Sequence, residues 1–154
     1  RDDVLVMRTF SKLFGMAGMR LGLTMANPKL YEKMMRYDGM QVTNMLPMTA
    51  VACGTASVVQ ADLIKARRAE MVAVRDDVFA HLKKRKIDYV ASTQANMFMM
   101  DWKKPAKEMQ EKLMAHNVQI GRSWDIWPTF SRVTVGSAEE MQQFKIALDK
   151  VLMA

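Results

Sequence analysis

Lys12 stands in the string TFSKLFGMAGMRLG, residues 9–22, with a threonine three positions before it, a serine one before it and an arginine eight after it. Gly15, Gly18 and Gly22 complete the string. Glycine-rich turns let backbone N–H groups converge on an anion. Arg20 adds a planar fork of donors suited to phosphate, and Thr9 and Ser11 add short hydroxyls. The residue types therefore predict a phosphate cradle beside a single amine. Nucleotide-binding loops of the form G-x-x-x-x-G-K-[ST] are a different device, because there the glycines precede the lysine. A lysine at the end of a buried strand, crowded by Arg20, is expected to be nucleophilic toward a carbonyl.

Phosphate and aldehyde occur together in one ligand, pyridoxal phosphate. Other chemistry is poorly represented. Cys53 lies in the apolar run MTAVACGTASVV and reads as a small buried side chain rather than a nucleophile. With a single cysteine and with His81 and His116 far apart in sequence, neither an internal disulfide nor metal-ligand spacing appears, so no metal is expected. The 17 methionines read as flexible apolar packing. Trp124, Trp127 and Phe130 read as core more readily than as a substrate pocket. A net charge of +7 favours anionic ligands, but the most basic run, KKRK at residues 83–86, is short and ends a helix, so nucleic acid is not expected as a partner. No stretch reaches membrane-span length and no signal peptide opens the chain, which predicts a soluble, cytoplasmic setting.

The elements that must position Lys12 alternate. Residues 4–8 and 20–25 read as strands around the glycine turn. Asn27-Pro28 opens a helix expected to stop near Gly39, and another helix runs from Pro47 to about Val59. From Asp62 to Lys86 apolar residues Met71, Val74, Val78 and Leu82 recur at helical intervals, a rod of the kind that connects lobes. Residues 88–102 read as strand, 105–115 as helix, VQIGRSW and FSRVTVG as strands, and 138–153 as a closing helix. Ser137 with Glu140 forms a capping box before that helix. The chain lacks an initiator methionine and starts almost at once on a strand, which reads as the middle of a larger α/β domain.

TFSKLFGMAGMRLG resembles the cofactor-lysine motif of fold-type I pyridoxal-phosphate-dependent aminotransferases, in the branch containing histidinol-phosphate aminotransferase. A second likeness lies 120 residues beyond the lysine, where SRVTVGSAEEM resembles the family's C-terminal strand with its carboxylate-binding arginine. The resemblance covers the family's C-terminal half. It implies that Lys12 bonds to pyridoxal 5'-phosphate and that Thr9, Ser11 and Arg20 hold the cofactor phosphate. Arg132 would grip the substrate α-carboxylate. Arg122, in IGRSW, aligns with a second arginine that reaches a distal acidic or phosphate group, and Asn96, in STQANMF, with a small-domain asparagine.

The fold implied is α/β, with residues 1–70 ending the cofactor-binding large domain, whose main sheet is mostly parallel, and residues 71–154 forming a smaller α/β domain with Arg122 and Arg132. The activity implied is transfer of an amino group between an amino acid, or an amino phosphate, and a 2-oxo acid, in a homodimer. The family's aspartate on the pyridine nitrogen has no counterpart here, since Asp2 and Asp3 lie too close to the lysine strand. Weak cofactor binding by this chain alone is expected for that reason. A catalytically incompetent scaffold, or a decarboxylase or lyase using the same lysine, remains open at this point.

Overall fold

The computed structural model describes residues 1–37 and 45–153. It divides into two compact units, Arg1–Arg67 and Arg68–Ala154. The first contains strand β1 (Leu5–Thr9), a short 3-10 turn (Ala17–Met19), β2 (Gly22–Ala26), α1 (Pro28–Tyr37) and α2 (Met48–Val58). The division falls within α3 (Ala61–Lys84). The second unit continues with β3 (Asp88–Tyr89), β4 (Met97–Asp101), α4 (Ala106–Met114), β5 (Phe130–Thr134) and α5 (Ala138–Met153). The expected stop near Gly39 lies outside the described residues.

The expectation of a mostly parallel sheet is corrected. Among the described residues β1 and β2 form an antiparallel pair with Thr9 opposite Gly22 and Leu5 opposite Ala26. The reason is the connection: residues 10–21 close a loop with only one 3-10 turn, whereas a parallel pair needs a crossover that carries the chain back along the sheet. The β1 strand is not buried either. Leu5, Met7, Leu23 and Met25 are exposed, because a two-stranded ribbon cannot cover its own faces. What is buried in this unit lies at the base of the loop, where Phe10, Met16, Leu21 and Ala50 cluster and Phe14 packs on Phe10 with ring centroids 5.2 Å apart. Gly54 of α2 lets that helix come close, since a Cβ there would collide with Leu21 Cδ2. Cys53 beside it is exposed, contrary to the sequence reading: Ala50 and Gly54, four apart, face the cluster, and Cys53 does not share their face.

In the second unit β3, β4 and β5 form an antiparallel sheet in that order. Residues 88–102, expected as one strand, are two, because Thr93 turns the chain: its hydroxyl donates to the Met97 carbonyl and accepts from the Ala95 amide. Phe98, Met100, Val133 and Val135 alternate onto one face of the sheet and join Val78 and Leu82 of α3, Met109 and Leu113 of α4, and Phe144 and Leu148 of α5 in one core. The helix ends are shaped by left-handed residues. Lys86 (φ 57) follows α3 and Asn117 (φ 60) follows α4, and the amides of Ile87 and Val118 bond back to Leu82 and Leu113 as in a Schellman stop. The capping box is present: the Ser137 amide donates to Glu140 Oε2 at 2.7 Å and the Glu140 amide to Ser137 Oγ at 3.2 Å. VQIGRSW, expected as a strand, is an irregular segment held to β5 by two backbone bonds, Gly121 N–H to Arg132 O and Arg132 N–H to Arg122 O.

Candidate active site

Thr9 ends β1, and the loop that closes the β1–β2 pair carries Ser11, Lys12 and Arg20. Thr9 Oγ1 donates to Ser11 Oγ at 2.8 Å and accepts from the Ser11 amide at 3.1 Å, so the two hydroxyls are neighbours immediately before the lysine. The chain then turns, with the Gly15 amide on the Lys12 carbonyl and Gly15 at φ 67, a conformation a side chain would strain. At the far end Arg20 is itself left-handed, at φ 54. That reversal drops Leu21 into the cluster while Arg20 stays exposed, with Nη1 donating to the Ala17 carbonyl at 2.7 Å. Lys12 is exposed, Ser11 half-buried. Arg67 Nη1 donates to the Leu13 carbonyl and ties the loop to the start of α3.

The donor chemistry of this loop fits a phosphate monoester bearing an aldehyde. The Ser11 hydroxyl keeps a proton to donate while accepting from Thr9, and an arginine has five N–H donors, of which Ala17 takes one. Lys12 adds an accessible primary amine in the same turn.

In the second unit Arg132 lies on β5 opposite Met99, on the face of the sheet away from the Phe98–Val133 core. Its guanidinium is half-buried, and Nε is buried with no hydrogen-bond partner in the structure. A charged donor so placed calls for an anionic acceptor. Arg122 is exposed, and its carbonyl receives the Arg132 amide at 2.9 Å, so the two arginines are backbone neighbours. Asn96, just before β4, accepts on its carbonyl the amide of Val135, three residues past Arg132. Trp127 is half exposed and stacks edge-on against Trp124 with centroids 6.0 Å apart, and Phe130 is half-buried. The two tryptophans form a turn closed by the Trp127 amide on the Trp124 carbonyl, while Phe130 opens β5.

Sequence reasoning missed what stands under the arginines. Gly121 is covered by Arg132: a Cβ on it would lie 3.8 Å from Nε and 3.9 Å from Nη2. Gln110 Nε2 donates to the Gly121 carbonyl at 2.6 Å and to Ser131 Oγ at 3.2 Å, and Ser131, fully buried, also accepts from Trp102 Nε1 at 3.0 Å. The available signal was a serine at a core-facing register of a strand. The second unit also holds a perturbed acid. Burial pushes the Asp101 carboxyl up, but hydrogen bonds from the Lys103 side chain and amide, and from Thr129, outweigh it and hold the carboxyl below its ordinary range. This pair joins the end of β4 to Asp88 on β3.

Residues 1–150 match the family model for aminotransferases of class I and II. Among curated relatives, the chain is 30% identical to histidinol-phosphate aminotransferase of Methanocaldococcus jannaschii, over 98% of this chain and 41% of the relative. It is 29% identical to the enzyme of the same name from Moorella thermoacetica, over 99% of this chain and 39% of the relative. Among solved structures, histidinol-phosphate aminotransferase of Sinorhizobium meliloti in complex with pyridoxal-5'-phosphate superimposes with a TM-score of 0.83 at 22% identity, covering 99% of this chain and 42% of that one. The chain thus spans about two fifths of the length of the relatives it matches. Among the described residues no helix is long and apolar enough to cross a membrane. With nearly its full length inside the family model, this chain belongs to the class I and II aminotransferases.

Proposed function

We propose that the chain supplies the cofactor-lysine and substrate-carboxylate segments of a pyridoxal-phosphate-dependent aminotransferase that moves an amino group between an amino acid, or an amino phosphate, and a 2-oxo acid. The observation that carries the reading is that the end of β1 and the loop after it present two neighbouring hydroxyls, Thr9 and Ser11, followed by the Lys12 amine and the Arg20 guanidinium. Family membership supports it, as does the anion-seeking guanidinium of Arg132 on β5. In this reading residues 1–70 belong to the cofactor domain and residues 71–154 to the smaller domain of a cytoplasmic homodimer.

When bound, the cofactor supplies an electron sink for the charge that develops at the substrate Cα. The work of the chain is to bind and to move one proton. Thr9 and Ser11 hydroxyls and the Arg20 guanidinium hold the phosphate, fixing the ligand by its tail. Lys12 Nζ would be the amine that bonds to the cofactor's aldehyde carbon, and its free form would be the base that takes the substrate Cα proton and returns it to that carbon, across the intervening nitrogen. Keeping that base beside the carbon replaces an encounter with a positioned transfer, worth up to roughly 7–11 kcal/mol in well-oriented systems. Arg132 pairs with the α-carboxylate in a two-point grip that fixes which Cα bond is presented, and Arg122 is placed for a distal anionic group.

The test is covalent. The chain is incubated with pyridoxal phosphate, reduced with borohydride, digested and mapped by mass spectrometry. The pyridoxyl mass is expected on Lys12 above every other lysine, lost in Lys12→Ala and reduced several-fold in Arg20→Ala. Label spread evenly over the surface lysines, unchanged by Arg20→Ala, would overturn the reading.

A further inference from the structure

We propose that Gln110 is a positioning residue for the carboxylate grip of Arg132, acting through the backbone of Gly121. The inference rests on the reading of Arg132 given above and extends it to a residue on a different element, α4. β5 ends its sheet, and the segment through Gly121 is attached to it by only two backbone bonds, both made by Arg132. Such a segment has few constraints of its own. Gln110 adds the missing one. Its Nε2 reaches the Gly121 carbonyl at 2.6 Å from below, while its second bond, to Ser131 Oγ, fixes the amide against the strand that bears Arg132.

The geometry makes this constraint specific to the guanidinium. A Cβ on Gly121 would meet the Arg132 carbonyl at 3.0 Å, Nε at 3.8 Å and Nη2 at 3.9 Å, so the guanidinium lies over the side of this glycine where a side chain would stand. Holding Gly121 down therefore holds the guanidinium in one orientation with Nε unmatched. It also keeps the Arg122 carbonyl on the Arg132 amide, so both arginines share one frame. Without the Gln110 donor, the segment is free to lift, the guanidinium gains alternative orientations, and a carboxylate must fix it on binding at a cost in affinity.

The 154-residue chain is titrated with 2-oxoglutarate as probe, following the Arg132 Nε–Hε resonance in a nitrogen-15 spectrum. Gln110→Met keeps the side-chain length and removes the donor; Leu82→Ala, in the core on α3, serves as a destabilised control with an intact Gly121 contact. Gln110→Met is expected to weaken 2-oxoglutarate binding roughly 5- to 10-fold, about the factor set by one hydrogen bond, and to broaden the Nε–Hε signal. Leu82→Ala is expected to lower the thermal midpoint more while leaving affinity within about twofold. Wild-type affinity and a sharp signal in Gln110→Met overturn the proposal while the carboxylate reading stands, and so does an equal loss of affinity in Leu82→Ala. A wild-type chain whose Arg132 signal ignores 2-oxoglutarate removes both.

Discussion

The two units hold their cationic side chains by unequal means. In the second, Arg132 stands on a strand whose other face is sealed by side chains from α3, α4 and α5. In the first, Arg20 and Lys12 stand on a loop anchored by a small cluster at its base, and the strands that lead into it are largely exposed. The lesson is where rigidity comes from. The arginine of the second unit inherits its position from a core that the unit closes for itself. The lysine loop is held by less: a cluster of Phe10, Phe14, Met16 and Leu21 against Ala50, the Gly54 contact and the Arg67 bond to the Leu13 carbonyl.

The comparison breaks most visibly if the second core is not what holds its unit. Phe98, 2% exposed and packed edge-on against Phe79, is the test. Phe98→Ala should cost about 3–5 kcal/mol, from lost transfer energy and the cavity left behind. Met7→Ala, at a β1 position 69% exposed, should stay within about 0.5 kcal/mol. Urea unfolding with amide exchange read in each unit separates the two. Equal losses would mean that the density of the second core is not the source of its rigidity.

A smaller effect sharpens the account of the first unit. Gly54→Ala places a methyl group against Leu21 Cδ2, with the Phe10 ring next at 3.6 Å. Leu21 can turn only within a small cluster, so the substitution should cost about 1–3 kcal/mol by overpacking, offset in part by the gain in helix propensity. Because Leu21 follows Arg20, the same change should reduce borohydride labelling of Lys12 with pyridoxal phosphate, though Gly54 touches neither residue. Undiminished labelling would show that the loop takes its shape from its own turns alone.

The limits of sequence reading follow the same division. Helices with long apolar periods, such as Ala61–Lys84 and Ala138–Met153, and the Ser137–Glu140 box were legible because the signals are local. So was the lysine string, whose chemistry is a matter of residue types at fixed spacing. Strand direction was not legible, because it depends on what the connection between β1 and β2 does in space. Nor was the exposure of Cys53: in an apolar run every position reads as core, and only the packing of Ala50 and Gly54 selects a face. VQIGRSW alternates as a strand should, yet α4 delivers it through a left-handed Asn117 and Gln110 captures one carbonyl, so most of its pairing with β5 is never made.

The finest test concerns an ionic clasp between two helices of the second unit. Asp149 on α5 receives His81 Nε2, from the last turn of α3, at 2.9 Å and Nη2 of Arg85, the residue just after α3, at 2.5 Å. Burial works to raise the Asp149 carboxyl, but the hydrogen bonds from Arg85 and His81 and their charge outweigh it and hold it below its ordinary value of 3.8. A carboxyl depressed in the folded state binds its proton more weakly there than in the unfolded chain. Its contribution is therefore fully present above the unfolded value and fades as pH falls through the lower folded one. Urea midpoints should drop as pH falls below about 4, and Asp149→Asn should flatten that fall while lowering the plateau at neutral pH. The effect should be the smallest of the three, since both side chains keep about a fifth of their surface in water. It should also be local, with α5 amides losing protection before those of the Phe10–Leu21 loop base. If acid instead releases the first unit alone, with Asp149→Asn indistinguishable from the parent chain, the clasp contributes nothing and the second unit rests on its apolar core without electrostatic help.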